Sequence, residues 1–398
     1  MMPVDRKSCT GCGACADACP VSCISMRASD EGFLFPSVDD SRCTGCGLCG
    51  KVCHALNPPE KHTPGRAFAA WALDDFVRTT SSSGGVYSVL GEYVLGIGGM
   101  ISGCRFDGDM VLKHELCGVP GATGGFRGSK YVQCFTDGIY RKIGKELKEG
   151  KNVLFTATPC QAAGLLAFLG RPYDNLIVCD LVCHGIPSQK IFRSYLKRHD
   201  LSPDPDRDVI AFRDLKGWGD FYIRISDGDE LKWRSDDANN EFIRAFLSGC
   251  CYNEACYACP YACMERVGDL TLADFWGLGR SVPFDGDVSR GCSLVFVNTE
   301  KGDRLLQAVR DKLFLEERTP EEARQGNGQL RKPAPRPPMR DSFYRMDWSE
   351  IAPKINYGKP SPFRKLLRSC KRAIFHALGV DRGRNGKMTD STPASQKK

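Results

Sequence analysis

Two stretches near the start of the chain carry one cysteine spacing. Cys9, Cys12, Cys15 and Cys19 in CTGCGACADACP form CxxCxxCxxxC, followed by Pro20, and Cys43, Cys46, Cys49 and Cys53 in CTGCGLCGKVCH repeat it. Eight thiols at such short, duplicated intervals commit the local backbone to wrapping inorganic centres. Disulfides are the competing use of cysteine, and they suit short secreted domains. Here 22 cysteines are spread over 398 residues that begin MMPVDRKSC, with no apolar run of signal-peptide length. Reduced thiols in the cytoplasm are therefore expected, and no stretch approaches the roughly 20 apolar residues of a membrane span.

The repeated run is that of bacterial two-cluster ferredoxins, in which the fourth cysteine of each run serves the other cluster. Cys53 thus joins Cys9, Cys12 and Cys15 on one [4Fe-4S] cluster, and Cys19 joins Cys43, Cys46 and Cys49 on the second. Gly11, Gly13, Gly45 and Gly47 suit the tight turns that aim amides at cluster sulfur. Paired zinc knuckles would need only four ligands per site, in other spacings. One departure is His54, which stands where the first run has Pro20, and Cys23 reads as a packed thiol rather than a ninth ligand.

Beyond residues 1–57, the ferredoxin domain, NPPEKHTPGR reads as a linker at 58–66. Alternating apolar strands and helices then run through 67–325: Met100 to Cys104, Asn152 to Phe155 and Leu176 to Cys179 read as buried strands, and Val86 to Leu95, Gln161 to Leu169 and Ile191 to Lys197 as helices. FYIRIS, ELKWR and SLVFVNT add strands that suggest a mixed sheet. The expected fold class is thus α+β / α/β, a ferredoxin-like 2[4Fe-4S] domain followed by a mixed α/β domain. A Pro-rich extension at 326–361, a basic amphipathic helix at 362–379 and a disordered tail at 380–398 complete the division.

Three constellations in the α/β region carry chemistry. TPCQ at Thr158 to Gln161 follows a strand and opens a helix, so Cys160 sits where amide dipoles favour a thiolate. CDLVCHGIPS follows the next strand, and ligands of α/β sheets gather at the carboxyl ends of neighbouring strands, so Cys183 is expected to approach Cys160. Cys256 and Cys259 form CYAC ahead of RVGDLTLADFWG. Two single cysteines and one CxxC make four thiolates, enough for a third iron–sulfur cluster. Cys250, Cys251 and Cys263 compete for that role, against the plainer reading of small buried side chains.

SSSGGVYSVL, RGSKYVQ, TPCQAAGLLAFL, DLVCHGIPS, FRDLKGWG and CYAC with RVGDLTLADFWG occur in the order seen in the coenzyme F420 hydrogenase/dehydrogenase beta subunit family, which residues 1 to about 320 resemble. The resemblance implies a FAD-binding domain with its own [4Fe-4S] cluster, passing electrons between a two-electron carrier, such as reduced coenzyme F420, and iron–sulfur centres. Related enzymes reduce chlorophyll-type pigments. Ala157, before TPC, and Cys134 depart from residues frequent in relatives, Gly and Ser. No GxGxxG follows a strand, so a nicotinamide site is not expected. With the resemblance, the flavin contacts are expected at Ser82, Ser83, Gly84, Gly85, Arg127, Ser129, Lys130, Tyr131 and Thr158; on the residues alone, SSSGG reads equally as a helix cap and RGSKY as a loop.

The function expected is that of an iron–sulfur flavoprotein oxidoreductase with a small-molecule donor or acceptor and a redox partner protein or ferredoxin. The alternatives are an electron-transfer subunit without its own substrate site and a ferredoxin-dependent reductase of an organic substrate. A cytosine methyltransferase also places Pro-Cys-Gln at a strand-to-helix junction, but the glycine-rich cofactor loop is missing. The charge agrees that nucleic acid is not a partner. Of the formal +7, residues 359–398 hold +9 and the rest −2, so the basic surface is confined to the tail. There PFRKLLRSCKRAIFHALG places Phe363, Leu366, Leu367, Cys370, Ile374 and Leu378 at helical spacing among basic residues, which suits an anionic membrane surface, a partner, or packing on its own domain.

Overall fold

The computed structural model describes residues 4–213, 218–236 and 238–355. The basic helix and tail expected at 362–379 and 380–398 lie outside these, as do Asp214, Leu215, Lys216 and Gly217 of FRDLKGWG.

The first cysteine run turns through a short helix α1 (Ala14–Ala18), the second through α2 (Leu48–Lys51), with the antiparallel hairpin β1 (Ile24–Ala28) and β2 (Leu34–Val38) between them. Gly11, Gly13, Gly45 and Gly47 all adopt φ between 68° and 80°, the left-handed turns expected of them. Segment 58–66 is fastened, not free: His62 and Arg266 exchange backbone hydrogen bonds of 2.7 and 2.8 Å.

The chain then runs through β3 (Arg66–Ala72), α3 (Asp75–Thr79), α4 (Val86–Gly96), β4 (Met100–Phe106), β5 (Leu112–Cys117), α5 (Thr123–Phe126) and α6 (Ile139–Lys148). β6 (Val153–Ala157), α7 (Pro159–Leu169), β7 (Leu176–Leu181) and α8 (Gln189–Arg198) follow. After β8 (Asp208–Ala211), β9 (Arg224–Asp227), β10 (Glu230–Arg234) and α9 (Glu241–Ser248) come β11 (Leu270–Asp274), β12 (Ser293–Val297), α10 (Glu300–Ala308) and β13 (Leu313–Arg318).

Eight strands form one mixed sheet in the order β13-β3-β12-β11-β7-β6-β4-β5, of which the inner four, β11, β7, β6 and β4, are parallel. Such strands are buried on both faces, and Val153, Leu154 and Phe155 are accordingly inaccessible. FYIRIS and ELKWR do not join this sheet. Together with β8 they form a separate three-stranded antiparallel sheet in the order β10-β9-β8, because an apolar alternation sets a strand's face but not its neighbour. The extension after residue 325 is not a polar appendage either: Phe343, Trp348, Ile351 and Ile355 are buried in the core that also holds α8 and α9 residues.

Polar contacts lock the ferredoxin module onto the α/β body. Asp17 accepts from the backbone amide of Tyr140 at 3.0 Å, satisfying a first-turn donor of α6. Arg141 donates to the carbonyls of Ala16, Asp17 and Cys19. The buried Arg340 grips both oxygens of Glu31 at 2.9 and 2.7 Å.

Candidate functional site

Cys9, Cys12, Cys15 and Cys53 converge around one hollow, with Gly11, Gly13 and His54 also in its wall. Burial, followed by the charge of the neighbouring thiols, pushes Cys9 up to about 11 and Cys15 to about 12. Without metal these are neutral thiols, so metal binding must release protons. His54, the departure from proline, is hydrogen-bonded through both ring nitrogens, to Thr10 Oγ1 at 3.0 Å and Tyr261 OH at 2.8 Å. It thereby ties the first cysteine run to the loop behind Cys259.

In the second set, Cys19 packs with Cys49, while Cys43 and Cys46 are exposed. Cys23 is buried in the same cluster. Its Sγ lies 3.3 Å from Cys19 Sγ, and Cys43 also bears on it.

The third set comes from three parts of the α/β region. Cys160 opens α7, Cys183 follows β7, and Cys256 and Cys259 lie on a 3-10 turn and at its end. All four feel one another's charge. Burial and then these neighbours push Cys183 up to about 12, Cys259 to about 11 and Cys256 well above the usual thiol range. Arg266 of RVGDLTLADFWG holds the loop in place. It donates to the carbonyls of Tyr261, Cys263 and Leu181, and pairs with Asp180, which also accepts from Thr271 and the amides of Val267 and Gly268. Of the competing thiols, Cys250 and Cys251 lie in the hydrophobic core, and Cys263 faces carbonyl oxygens and Lys61.

The first and third sets adjoin. Cys12 and Cys160 pack against the same buried cluster, and Cys12 rests on α7, where a Cβ on Gly164 would lie 3.1 Å from Cys12 Sγ. The Tyr140 hydroxyl stands between them, 2.9 Å from Cys12 O and 3.0 Å from Gln161 O.

At the carboxyl ends of the four parallel strands lies a cavity of about 310 Å³. Thr156 to Thr158, Leu181 to Cys183, Leu272 to Asp274 and Cys104 form its floor, the position where ligands of open α/β sheets bind. Of the expected flavin contacts, Ser82, Ser83, Gly85, Arg127, Ser129, Lys130, Tyr131 and Thr158 all line it. Gly84 does not; its amide donates to Ser293 Oγ, and a Cβ there would meet Ala70 O at 2.2 Å, so its glycine is dictated by packing. Gly85 takes φ 80° and leaves the start of α4 without a side-chain cap. Arg127 donates to Ser88 Oγ and Thr80 Oγ1, while Lys130 is held by the carbonyls of Phe126, Arg127 and Gly128, and burial lowers it to about 8. Three buried polar atoms of the wall, Ser83 Oγ, Tyr87 OH and Thr156 Oγ1, have no hydrogen-bond partner.

Two features at or behind the wall escaped the sequence. Arg213 of FRDLKGWG meets Asp274 of LADFWG at 2.5 Å, with Trp218 donating to the same carboxylate and stacked 4.7 Å from Trp276. These motifs meet only through tertiary folding. The other is a group of Cys104, His114 and Cys134, whose ligand atoms all lie within 4.8 Å of one another.

Residues 8–56 match the model of the 4Fe-4S dicluster domain, which defines the chain as an iron–sulfur protein. Residues 150–323 match the family model for the C terminus of the coenzyme F420 hydrogenase/dehydrogenase beta subunit, so this part of the chain carries that domain behind an N-terminal dicluster domain, as its motifs indicated. A solved structure, the xenon-derivatised F420-reducing [NiFe] hydrogenase complex from Methanosarcina barkeri, is similar at 16% identity and a TM-score of 0.45, covering 76% of this chain and 97% of that one. No curated protein matches the chain. Among the described residues, no helix is long and apolar enough to cross a membrane.

Proposed function

We propose that the protein is a flavin-dependent iron–sulfur oxidoreductase whose cavity holds FAD beside a third [4Fe-4S] cluster on Cys160, Cys183, Cys256 and Cys259. The observation that carries this reading is the cavity's position: its wall includes Thr158 and Cys183, so whatever fills it stands against the third thiol set, whose Cys160 and Cys259 pack against the same cluster as Cys12 of the first. The residues present fit a flavin nucleotide. The uncapped start of α4 and the Arg127 guanidinium offer donors to a pyrophosphate, and Ser83, Tyr87 and Thr156 offer unpartnered polar atoms. Tyr131, Phe221 and Trp276 supply apolar ring faces. A bound flavin would supply the chemistry of accepting two electrons together and releasing them singly, which iron–sulfur centres require.

The side chains perform the rest. Pro159 and Thr158 fix the start of α7 so that Cys160 faces both sets, and Arg266 keeps Cys256 and Cys259 against the end of β7. Arg213, buried and fixed by Asp274, lies over Phe221 and Trp276 and holds those rings in the cavity wall. Cys43 and Cys46 bring the second set to the surface, which suits exchange with a ferredoxin or a partner subunit. In the test, FAD-loaded protein is mixed anaerobically with reduced coenzyme F420. Flavin absorbance should bleach first and cluster absorbance afterwards, with NADH acting poorly; if no flavin binds, the reading fails and a plain electron-transfer subunit replaces it.

A further inference from the structure

We propose that Cys104, His114 and Cys134 form a zinc site whose fourth coordination position opens onto the cavity. Three adjacent backbone segments supply one ligand each. Cys104 on β4 is register partner to His114 on β5, and Phe135 bridges Lys113 on the far side of β5, which sets Cys134 beside that strand. The side chains converge: Cys104 Sγ lies 3.4 Å from His114 Nε2, and all three ligand atoms fall within 4.8 Å of one another. A tetrahedral zinc with sulfur at about 2.3 Å and nitrogen at about 2.0 Å places such ligands roughly 3.5 Å apart. Among the described residues this is the one such group of histidine, cysteine or carboxylate side chains.

Two other uses of these thiols fit less well. A Cys104–Cys134 disulfide would have to reach across β5, and segments two strand spacings apart stand roughly 9.5 Å from one another, beyond the about 7 Å that a disulfide spans without backbone movement. A cubane needs four ligands, commonly all thiolates, and here there are two thiols and an imidazole, a donor set that suits zinc. Two thiolates neutralise the ion's charge, and the neighbouring Lys130 is turned to three backbone carbonyls. Cys104 and Cys134 both border the cavity, and Gln161 Oε1, 3.3 Å from His114 Nε2, marks the side on which a fourth, oxygen donor would stand. His114 Nδ1 has no hydrogen-bond partner, so the ring lacks the outer acceptor that usually strengthens a zinc-binding histidine by about 10–100-fold. This inference does not depend on what fills the cavity.

The test is metal analysis of the full chain, purified anaerobically with its iron and dialysed against equimolar zinc. About one zinc per chain is expected, and its X-ray absorption should show two sulfur, one imidazole nitrogen and one further light donor. Cys104→Ser and Cys134→Ser should each lower zinc at least about tenfold while iron is unchanged, the retained iron showing that the fold survives. Zinc absent from the native chain, zinc bound by four sulfurs, zinc retained in both variants, or a Cys104–Cys134 disulfide found by peptide mapping would each overturn the proposal.

Discussion

Cys160 is the residue on which the third thiol set turns. It opens α7, shares a hydrogen bond with Thr158, and is felt by Cys183, Cys256 and Cys259. Cys160→Ser should lower the iron of reconstituted protein by about four atoms per chain, one cubane's content, and leave the ferredoxin-type electron paramagnetic resonance signals in place; chemical iron analysis with that spectrum checks it. Asp180→Ala leaves Arg266, 1% exposed, without its charge partner, a change that typically costs about 3–5 kcal/mol. A fall in the thermal midpoint, with iron of the third set released first on heating, is the expected outcome. The short spacings were legible because CxxC places two thiols on one turn, and the strand-to-helix pattern put Cys160 and Cys183 just after the paired strands β6 and β7. Cys104, His114 and Cys134, with 9 and 19 residues between them, were not. Their approach depends on strand register, which no short spacing encodes. Gly84 shows the reverse error, a glycine beside a cavity kept for its fit against Ala70 and Ser293.

At the scale of elements, α7 carries two duties. Its first turn presents Cys160, and its second leaves room at Gly164 for Cys12 and the Tyr140 hydroxyl. Gly164→Val forces atoms into that contact, and overpacking of this kind commonly costs about 1–3 kcal/mol. The variant should lose first-set iron while the cavity still binds flavin, as iron analysis and flavin fluorescence would show. α4 plays the matching part on the cavity's other side. Arg127→Ala, which removes the cation beside its start, should weaken FAD binding about 10–100-fold by titration, the size of a lost hydrogen bond to a charged group. The apolar runs behind β4, β6 and β7 named these strands from sequence, because strands buried on both faces are continuously apolar. FYIRIS and ELKWR read as strands for the same kind of reason, yet their place in a separate sheet with β8 was not legible, since pairing is a long-range choice.

For the whole molecule, the described part forms one compact unit through Ile355, in which segment 58–66 is a fastened strap. Glu31, Asp17 and His54 from the ferredoxin module each meet a partner in the α/β body, and none of these contacts was legible in the cysteine runs that announced the module. The result is a continuous arrangement of cavity, third thiol set, first set and exposed second set, which the proposed electron transfer requires. The most direct measurement is joint quantification of iron and flavin on one sample of anaerobically purified and reconstituted protein. The account predicts about 12 iron atoms, four per cubane, together with one FAD per chain. A reproducible plateau near eight iron atoms with no retained flavin would contradict it.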